Sequence, residues 1–266
     1  MKIALIQMHA GVQYQYNIAK AVMFVKRAIK NKAQFILLPE MFVMGGKLTA
    51  EYLGDVAEKI PGAITKTFMD LARRNKVYIL LGSLLEKSQQ ASKFYNTSIL
   101  LNSRGCLLGK YRKKHLFRAI IDRHNVDESK YFLSGNKNLL KKVDSFNVGL
   151  SLCFDVRFPK MYQEYKKQGV DVLCMPSAFT QKTGQVHWEI LLRARAIETL
   201  SYVLAPNQVG IDGKGGRFYG HSIIVDPWGK VLARATENQE EIIYAHIDKN
   251  NIKNKRKLLA SVLKEE

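Results

Sequence analysis

Short apolar runs that stop at a proline or a polar residue recur along this chain, and they constrain its fold more than any other feature. Residues 35–39 read Phe-Ile-Leu-Leu-Pro, 77–81 read Val-Tyr-Ile-Leu-Leu, and 170–176 read Val-Asp-Val-Leu-Cys-Met-Pro. Runs of this length are far too short to cross a bilayer and have the size of buried strands. Helical patterns lie between them. Ile18, Val22, Val25 and Ile29 share one face of a helix predicted over 15–31, and 65–75, 158–168 and 187–199 read as further helices. Strands are expected at 2–7, 34–38, 77–83, 95–101, 106–113, 145–152, 170–175, 202–208, 221–225, 230–234 and 241–247. Asn-Ser-Arg-Gly at 102–105 and Asp-Pro-Trp-Gly at 226–229 mark turns, whereas 118–144 reads as a polar, irregular stretch and 210–220 as a Gly-rich loop.

Because helices separate only some of the strands, the pattern predicts an α/β protein of two layered sheets flanked by helices rather than a pure βαβ series. A loose echo runs through it: strand–helix–strand ends at Pro39-Glu40 and again at Met175-Pro176-Ser177. No Pro/Ser-rich linker divides the chain, so residues 1–266 are expected to form one domain.

Three cysteines, Cys106, Cys153 and Cys174, without a CxxC pair exclude a disulfide scaffold and fit a reducing compartment. Cys106 and Cys174 sit in plain strand patterns and are expected in the core. Gln7 and His9 interrupt the first apolar run and no small-residue cleavage site follows, so a signal peptide is not expected and the cytoplasm is. Forty-two Lys plus Arg against 23 Asp plus Glu give +19. Residues 104–142 hold eleven cations against three carboxylates, and the tail from Lys249 six against two. No nucleic-acid-binding signature accompanies that charge, which alone supports only non-specific attraction, so a solvated Lys-rich surface is favoured over a nucleic-acid partner.

Three positions combine reactive side chains with strand ends. Cys153 follows the apolar strand carrying Val148, Leu150 and Leu152 and precedes Phe-Asp-Val-Arg-Phe-Pro. At such a turn the following backbone N–H groups favour a thiolate or an oxyanion, although a free cysteine is equally at home as a small buried hydrophobe. Glu40, directly after a buried strand, is either a surface residue or a base with a raised pKa. Lys113 lies within a basic run and by itself reads as surface. Other templates fail: residues 149–153 lack the last Gly of a nucleophile elbow, His187 has no second His at zincin spacing, and the glycines at 213–216 have no dinucleotide-binding context. No metal or cofactor is called for.

Together these positions resemble the nitrilase superfamily of carbon–nitrogen hydrolases. The matching stretches are Leu-Leu-Pro-Glu-Met-Phe at 37–42, Tyr-Arg-Lys-Lys-His-Leu-Phe at 111–117 and Gly-Leu-Ser-Leu-Cys-Phe-Asp-Val-Arg-Phe-Pro at 149–159. They stand in the family's order, and the similarity continues through Pro-Ser-Ala-Phe at 176–179, Thr183-Gly184, His-Trp-Glu at 187–189 and Tyr-Gly-His-Ser at 219–222. The resemblance implies a four-layer αββα sandwich, usually paired as a homodimer or higher homo-oligomer. It implies Glu40 as general base, Lys113 as stabiliser and Cys153 as nucleophile, with Glu128 supporting Lys113 and the Phe154 backbone N–H serving the oxyanion. It also implies a small-molecule amide substrate and no cofactor.

The segment from Pro176 to Glu198 looks most like the branches that hydrolyse deaminated glutathione and, as a close cousin, α-ketoglutaramate or α-ketosuccinamate. Such substrates carry carboxylates. Arg157, Ser177, Phe179 and Thr183 are the expected substrate contacts, while Arg193 and Arg195 are either part of a basic pocket or paired with helix carboxylates such as Glu198. Three features depart from the family pattern: Phe154 replaces a Tyr, 118–130 differs near the pocket, and the tail lacks a Pro-containing ending.

Overall fold

The apolar runs form the middle strands of two six-stranded sheets. The computed structural model describes residues 1–46, 48–121, 124–211 and 215–259. In chain order the first half holds β1 (Lys2–Gln7), α1 (Tyr14–Lys30), β2 (Phe35–Leu37), α2 (Ala50–Val56), α3 (Ala63–Asn75), β3 (Tyr78–Lys87), β4 (Phe94–Leu101) and β5 (Leu107–Arg112). A hairpin of β6 (Arg118–Ile121) and β7 (His124–Asp127) follows, then β8 (Leu139–Val143), β9 (Phe146–Leu150), α4 (Pro159–Lys167), β10 (Val172–Cys174) and α5 (Gln181–Thr199). The last part holds β11 (Tyr202–Ala205), β12 (Val209–Ile211), β13 (Arg217–Tyr219), β14 (Ile223–Val225), β15 (Val231–Arg234), β16 (Glu241–His246) and α6 (Lys249–Leu258).

The first sheet runs β16-β1-β2-β3-β4-β5 and the second β15-β14-β11-β10-β9-β8. Each has a parallel trio at its centre, β1-β2-β3 and β9-β10-β11, with one antiparallel strand on one side and a two-strand antiparallel extension on the other. The echo noted in the sequence is therefore a repeat of sheet plan. Successive residues of the first sheet separate into two cores, as the pleat dictates. Ala4, Ile6, Ile36, Ile79 and Ile99 pack with Phe24 and Ala28 of α1 and Phe68 of α3. Ile3, Leu5, Phe35, Leu80 and Leu100 pack instead with Val148, Leu173 and Ile224 of the second sheet, in a cluster that extends to Tyr165 of α4 and Trp188 of α5. Helix, sheet, sheet and helix thus make the four layers, and strands buried on both faces read as unbroken apolar runs.

Three parts of the sequence reading are corrected. Residues 118–144 contain a hairpin and β8, which pairs antiparallel with β9. Lys141 and Lys142 made β8 look like loop, but it is the last strand of its sheet, where lysine is tolerated and guards the edge. The Gly-rich loop contains the β12–β13 pair, although 212–214 lie outside the described residues. Cys106 is exposed beside the turn into β5 rather than in the core; Cys174 is buried. No helix among the described residues is long and apolar enough to cross a membrane.

Candidate active site

The carboxyl ends of the two parallel trios meet at one place, and side chains from both sheets converge there. Glu40 leaves β2 through Pro39. A Cβ on Gly82 of β3 would lie 1.9 Å from Leu38 O and 2.4 Å from Pro39 O, so glycine alone lets that strand pass so close. The next residue, Ser83, accepts Met41 N–H at 2.8 Å. From beyond β11 in the other sheet, Gln208 Nε2 donates to Glu40 O at 2.9 Å and Met41 O at 3.1 Å. The Glu40 turn is held by both sheets.

Lys113 stands one residue past β5. Its N–H donates to Asn96 O at 2.9 Å, and its carbonyl accepts from Gly135 N at 2.8 Å. The Nζ donates to Glu40 Oε1 at 2.9 Å and to both Glu128 oxygens at 3.0 and 3.1 Å. Glu128 begins a 3-10 turn after β7 and also accepts Phe117 N–H at 2.7 Å. Asn96 Nδ2 completes Glu40 Oε1 at 2.9 Å, and Ala178 N–H reaches Glu40 Oε2 at 2.9 Å.

Cys153 opens a 3-10 turn, Cys153–Arg157, directly after β9. Its φ is +42°, a left-handed conformation that a non-glycine residue adopts at a cost of about 1 kcal/mol or more. Its N–H is anchored on Pro176 O at 3.0 Å. The partly buried thiol faces Glu40, Lys113 and the Ala178 N–H. Phe154 is second in the turn, where backbone N–H groups have no acceptor inside the helix.

The site holds one ammonium against two carboxylates, and all three are almost out of reach of water: Lys113 is 1%, Glu40 2% and Glu128 9% exposed. Burial works against the Lys113 ammonium, but Glu128 and Glu40 outweigh it and raise its pKa well above the ordinary value. Burial and then Glu40 push the Cys153 thiol well up, more than Lys113 and the Ala178 N–H pull it down. Burial also raises Glu128, aided by Glu40, and Lys113 only partly offsets this. The thiol therefore stays protonated at neutral pH, with a carboxylate beside it to take the proton. That is the equipment of nucleophilic acyl transfer.

The family model for carbon-nitrogen hydrolases matches residues 2–257. The chain belongs to that family. As a carbon-nitrogen hydrolase it acts on C–N bonds other than peptide bonds. It is 36% identical to the deaminated glutathione amidase of Dictyostelium discoideum, over 93% of this chain and 87% of that one. It is also 36% identical to the omega-amidase of Homo sapiens, over 93% and 88%. Among solved structures it resembles Nit3 of Saccharomyces cerevisiae, with a TM-score of 0.86, 31% identity and coverage of 97% and 94%. It also resembles the NitFhit protein of C. elegans (TM-score 0.91, 34% identity), covering 98% of this chain and 63% of that longer one.

The structure of this carbon-nitrogen hydrolase brings Glu40, Lys113, Glu128 and Cys153 together and places Arg157 at the end of the Cys153 turn. The Arg157 guanidinium carbon lies 5.7 and 5.4 Å from the ring centres of Phe154 and Phe179, and its Nη atoms lie 3.2 and 3.3 Å from His187 Nδ1. Among the described residues no carboxylate pairs with it. Ser177 is fully buried, its hydroxyl on Met175 O at 3.0 Å, and Thr183 Oγ1 lies 2.9 Å from Thr180 Oγ1. Arg195 donates to Val156 O at 2.9 Å and Glu198 at 2.6 Å, and Arg193 to Gly229 O at 2.9 Å, so both have structural partners. Sequence reasoning missed Asn96, Gln208 and Asp155. Asn96 and Gln208 carry no local signal. Asp155, a carboxylate two residues past the cysteine in an apolar segment, could have been found.

Proposed function

We propose that this hydrolase is an amidase converting a linear, carboxylate-bearing carboxamide to its acid and ammonia through a Cys153 thioester, with deaminated glutathione as the first choice of substrate. The observation that carries this reading is the buried Glu40–Lys113–Glu128 cluster against the Cys153 thiol. Glu40 accepts the thiol proton as sulfur attacks the amide carbonyl, which solves the problem of a thiol whose own ionisation is disfavoured. The oxyanion forms beside the Lys113 ammonium and the Phe154 N–H, each such donor contributing about 3 kcal/mol to the transition state. Protonated Glu40 then gives its proton to the departing nitrogen, and ammonia leaves. Glu40 next removes a proton from water, which attacks the thioester and frees the acid and the thiol. Glu128 holds Lys113 charged and in place throughout.

Arg157 supports the choice of substrate class. A partly buried guanidinium with no carboxylate partner among the described residues, one turn from the nucleophile, suits an anionic group at the far end of the amide. Phe179 shapes the same wall; Ser177 and Thr183 contribute through the backbone path they set. Omega-amidase chemistry on α-ketoglutaramate or α-ketosuccinamate is the second reading, favoured by equal similarity to an omega-amidase. Val186, Ile190 and Ile197 form an exposed apolar stripe on α5, with Trp228 exposed as well, which we assign to a homodimer contact. The free thiols suit the cytoplasm.

Ammonia release from a panel of amides tests the reading. Deaminated glutathione is expected to turn over fastest, neutral amides of equal length more slowly, and Cys153→Ala not at all. Turnover of a carbamoyl amine but of neither carboxylate-bearing amide would overturn the substrate class, and full turnover by Cys153→Ala the mechanism. Light scattering on the same preparation is expected to give twice the 30.3 kDa chain mass; the single-chain mass would remove the dimer.

A further inference from the structure

Asp155 is completely buried and has no lysine or arginine partner among the described residues, yet its carboxylate meets four hydrogen-bonding groups. Oδ2 accepts Leu152 N–H at 2.9 Å and the Tyr111 hydroxyl at 2.6 Å. Oδ1 accepts His115 N–H at 3.0 Å and lies 2.7 Å from His115 Nδ1. A carboxylate has no proton to give, so Nδ1 carries the hydrogen and donates. Burial and then Asp155 hold the Tyr111 phenol well above its ordinary pKa, so it too remains a donor.

These four donors come from two places. Leu152 precedes the nucleophile, and Asp155 N–H returns to Leu152 O at 2.9 Å, closing the turn that holds Cys153 at positive φ. Tyr111 and His115 stand two residues before and two after Lys113; Tyr111 points from β5 into the core between the sheets, and His115 lies in the segment that follows the strand. The His115 ring is fixed in turn by stacking on Phe158, with centroids 3.6 Å apart and planes 7° from parallel.

We infer that Asp155 is a positioning residue: its carboxylate ties the nucleophile turn of one sheet to the lysine segment of the other and sets the distance between Cys153 and Lys113. This rests on the amidase reading only for its effect on turnover. An asparagine cannot replace it. Whichever way the amide is turned, its NH2 faces either Leu152 N–H or His115 N–H, and a buried backbone donor loses its acceptor. Misplacement of reacting groups by about 1 Å lowers rates by about 100-fold.

The test compares Asp155→Asn, Tyr111→Phe and the double variant with the wild type, reading kcat and KM for amide turnover and the rate of Cys153 alkylation by iodoacetate. For folded Asp155→Asn we expect kcat to fall about 100-fold, KM to change less than about threefold, and alkylation to slow. Tyr111→Phe removes one donor of four and is expected to lower kcat about fivefold, and the double variant to be no slower than Asp155→Asn, because the two act as one unit. Wild-type kcat in folded Asp155→Asn overturns the proposal, as do losses that multiply in the double variant. If Asp155→Asn does not fold, Tyr111→Phe decides, and unchanged kcat in it overturns the proposal. A wild type that releases ammonia from no amide defeats the amidase reading instead, and the alkylation rates then decide the role of Asp155.

Discussion

Strand β5 and the residue after it supply two charge clusters, one on each side of the strand, with opposite outcomes. On one side Lys110 and Arg112 converge on Glu86: Lys110 Nζ at 2.5 Å, Arg112 Nε at 2.9 Å and Arg112 Nη2 at 2.8 Å, with the Thr97 hydroxyl at 2.9 Å. On the other side Lys113 faces Glu40 and Glu128. Both carboxylates are largely shielded from water, Glu86 being 4% and Glu128 9% exposed, and Glu128 lies deeper among protein groups. Burial disfavours both ionised forms. Two cations nevertheless bring Glu86 down to about 2, whereas a single ammonium shared between two carboxylates leaves Glu128 above the ordinary range. Depth of burial and the count of cations per carboxylate together decide the sign. At Glu86 a surplus of cations makes a structural tie; in the site Glu40 and Glu128 share Lys113, and Glu40 stands beside a protonated thiol as the group that can take its proton.

Removing the shared cation should cost the most activity. Lys113→Met leaves Glu40 and Glu128 facing each other without a counter-charge, and kcat is expected to fall about 1000-fold or more. Steady-state ammonia release checks this, and a loss below tenfold would mean that the ammonium is not needed at the oxyanion.

Glu128→Gln changes the stoichiometry to one carboxylate per ammonium. With less negative charge near it, the Cys153 thiol should ionise at lower pH than in the wild type, so its iodoacetate alkylation profile is expected to move down the pH scale. We expect kcat to drop about 30-fold because Lys113 loses its second support. An alkylation profile that stays put or moves up would show that the surplus of carboxylates is not what holds the thiol protonated.

The smallest effect belongs to the edge cluster. Because the Glu86 pKa is lower in the folded chain than the roughly 4.3 of an unfolded one, its contribution to stability is full above that value. It is lost as pH falls toward about 2. Glu86→Gln is expected to reduce stability by about 2 kcal/mol at neutral pH, a figure kept modest because Lys110 and Arg112 are 37% and 36% exposed. Urea unfolding should show the gap closing near pH 2, with kcat unchanged. A gap that persists there would assign the effect to packing rather than charge.

Much of the fold was legible because each element carries its own record of burial. The run at 35–39 is apolar on both faces since the strand has a helix layer on one side and a sheet on the other, and the spacing of Ile18, Val22, Val25 and Ile29 follows the buried side of α1. Strand β8 escaped because an edge strand need not be apolar, and Cys106 was misplaced because nothing local separates the last residue of a turn from the first of a strand. In the site, Glu40 and Cys153 stand open between a reactive and a structural reading and Lys113 reads as surface; only the ordered motifs, taken together, single out the three.

The layered α/β architecture and the excess of basic residues are readable from periodicity and composition, and the candidate reactive side chains from the resemblance of their ordered motifs to a family. Which charges meet depends on tertiary packing. Lys110, Arg112 and Lys113 are nearly adjacent in one basic run. The pleat and the packing of the two sheets send the first two to one carboxylate at an edge and the third to two carboxylates in the interior. Electrostatic roles depend on distances of about 3 Å between residues far apart in the chain, such as the 73 positions separating Glu40 from Lys113, and no local pattern records them.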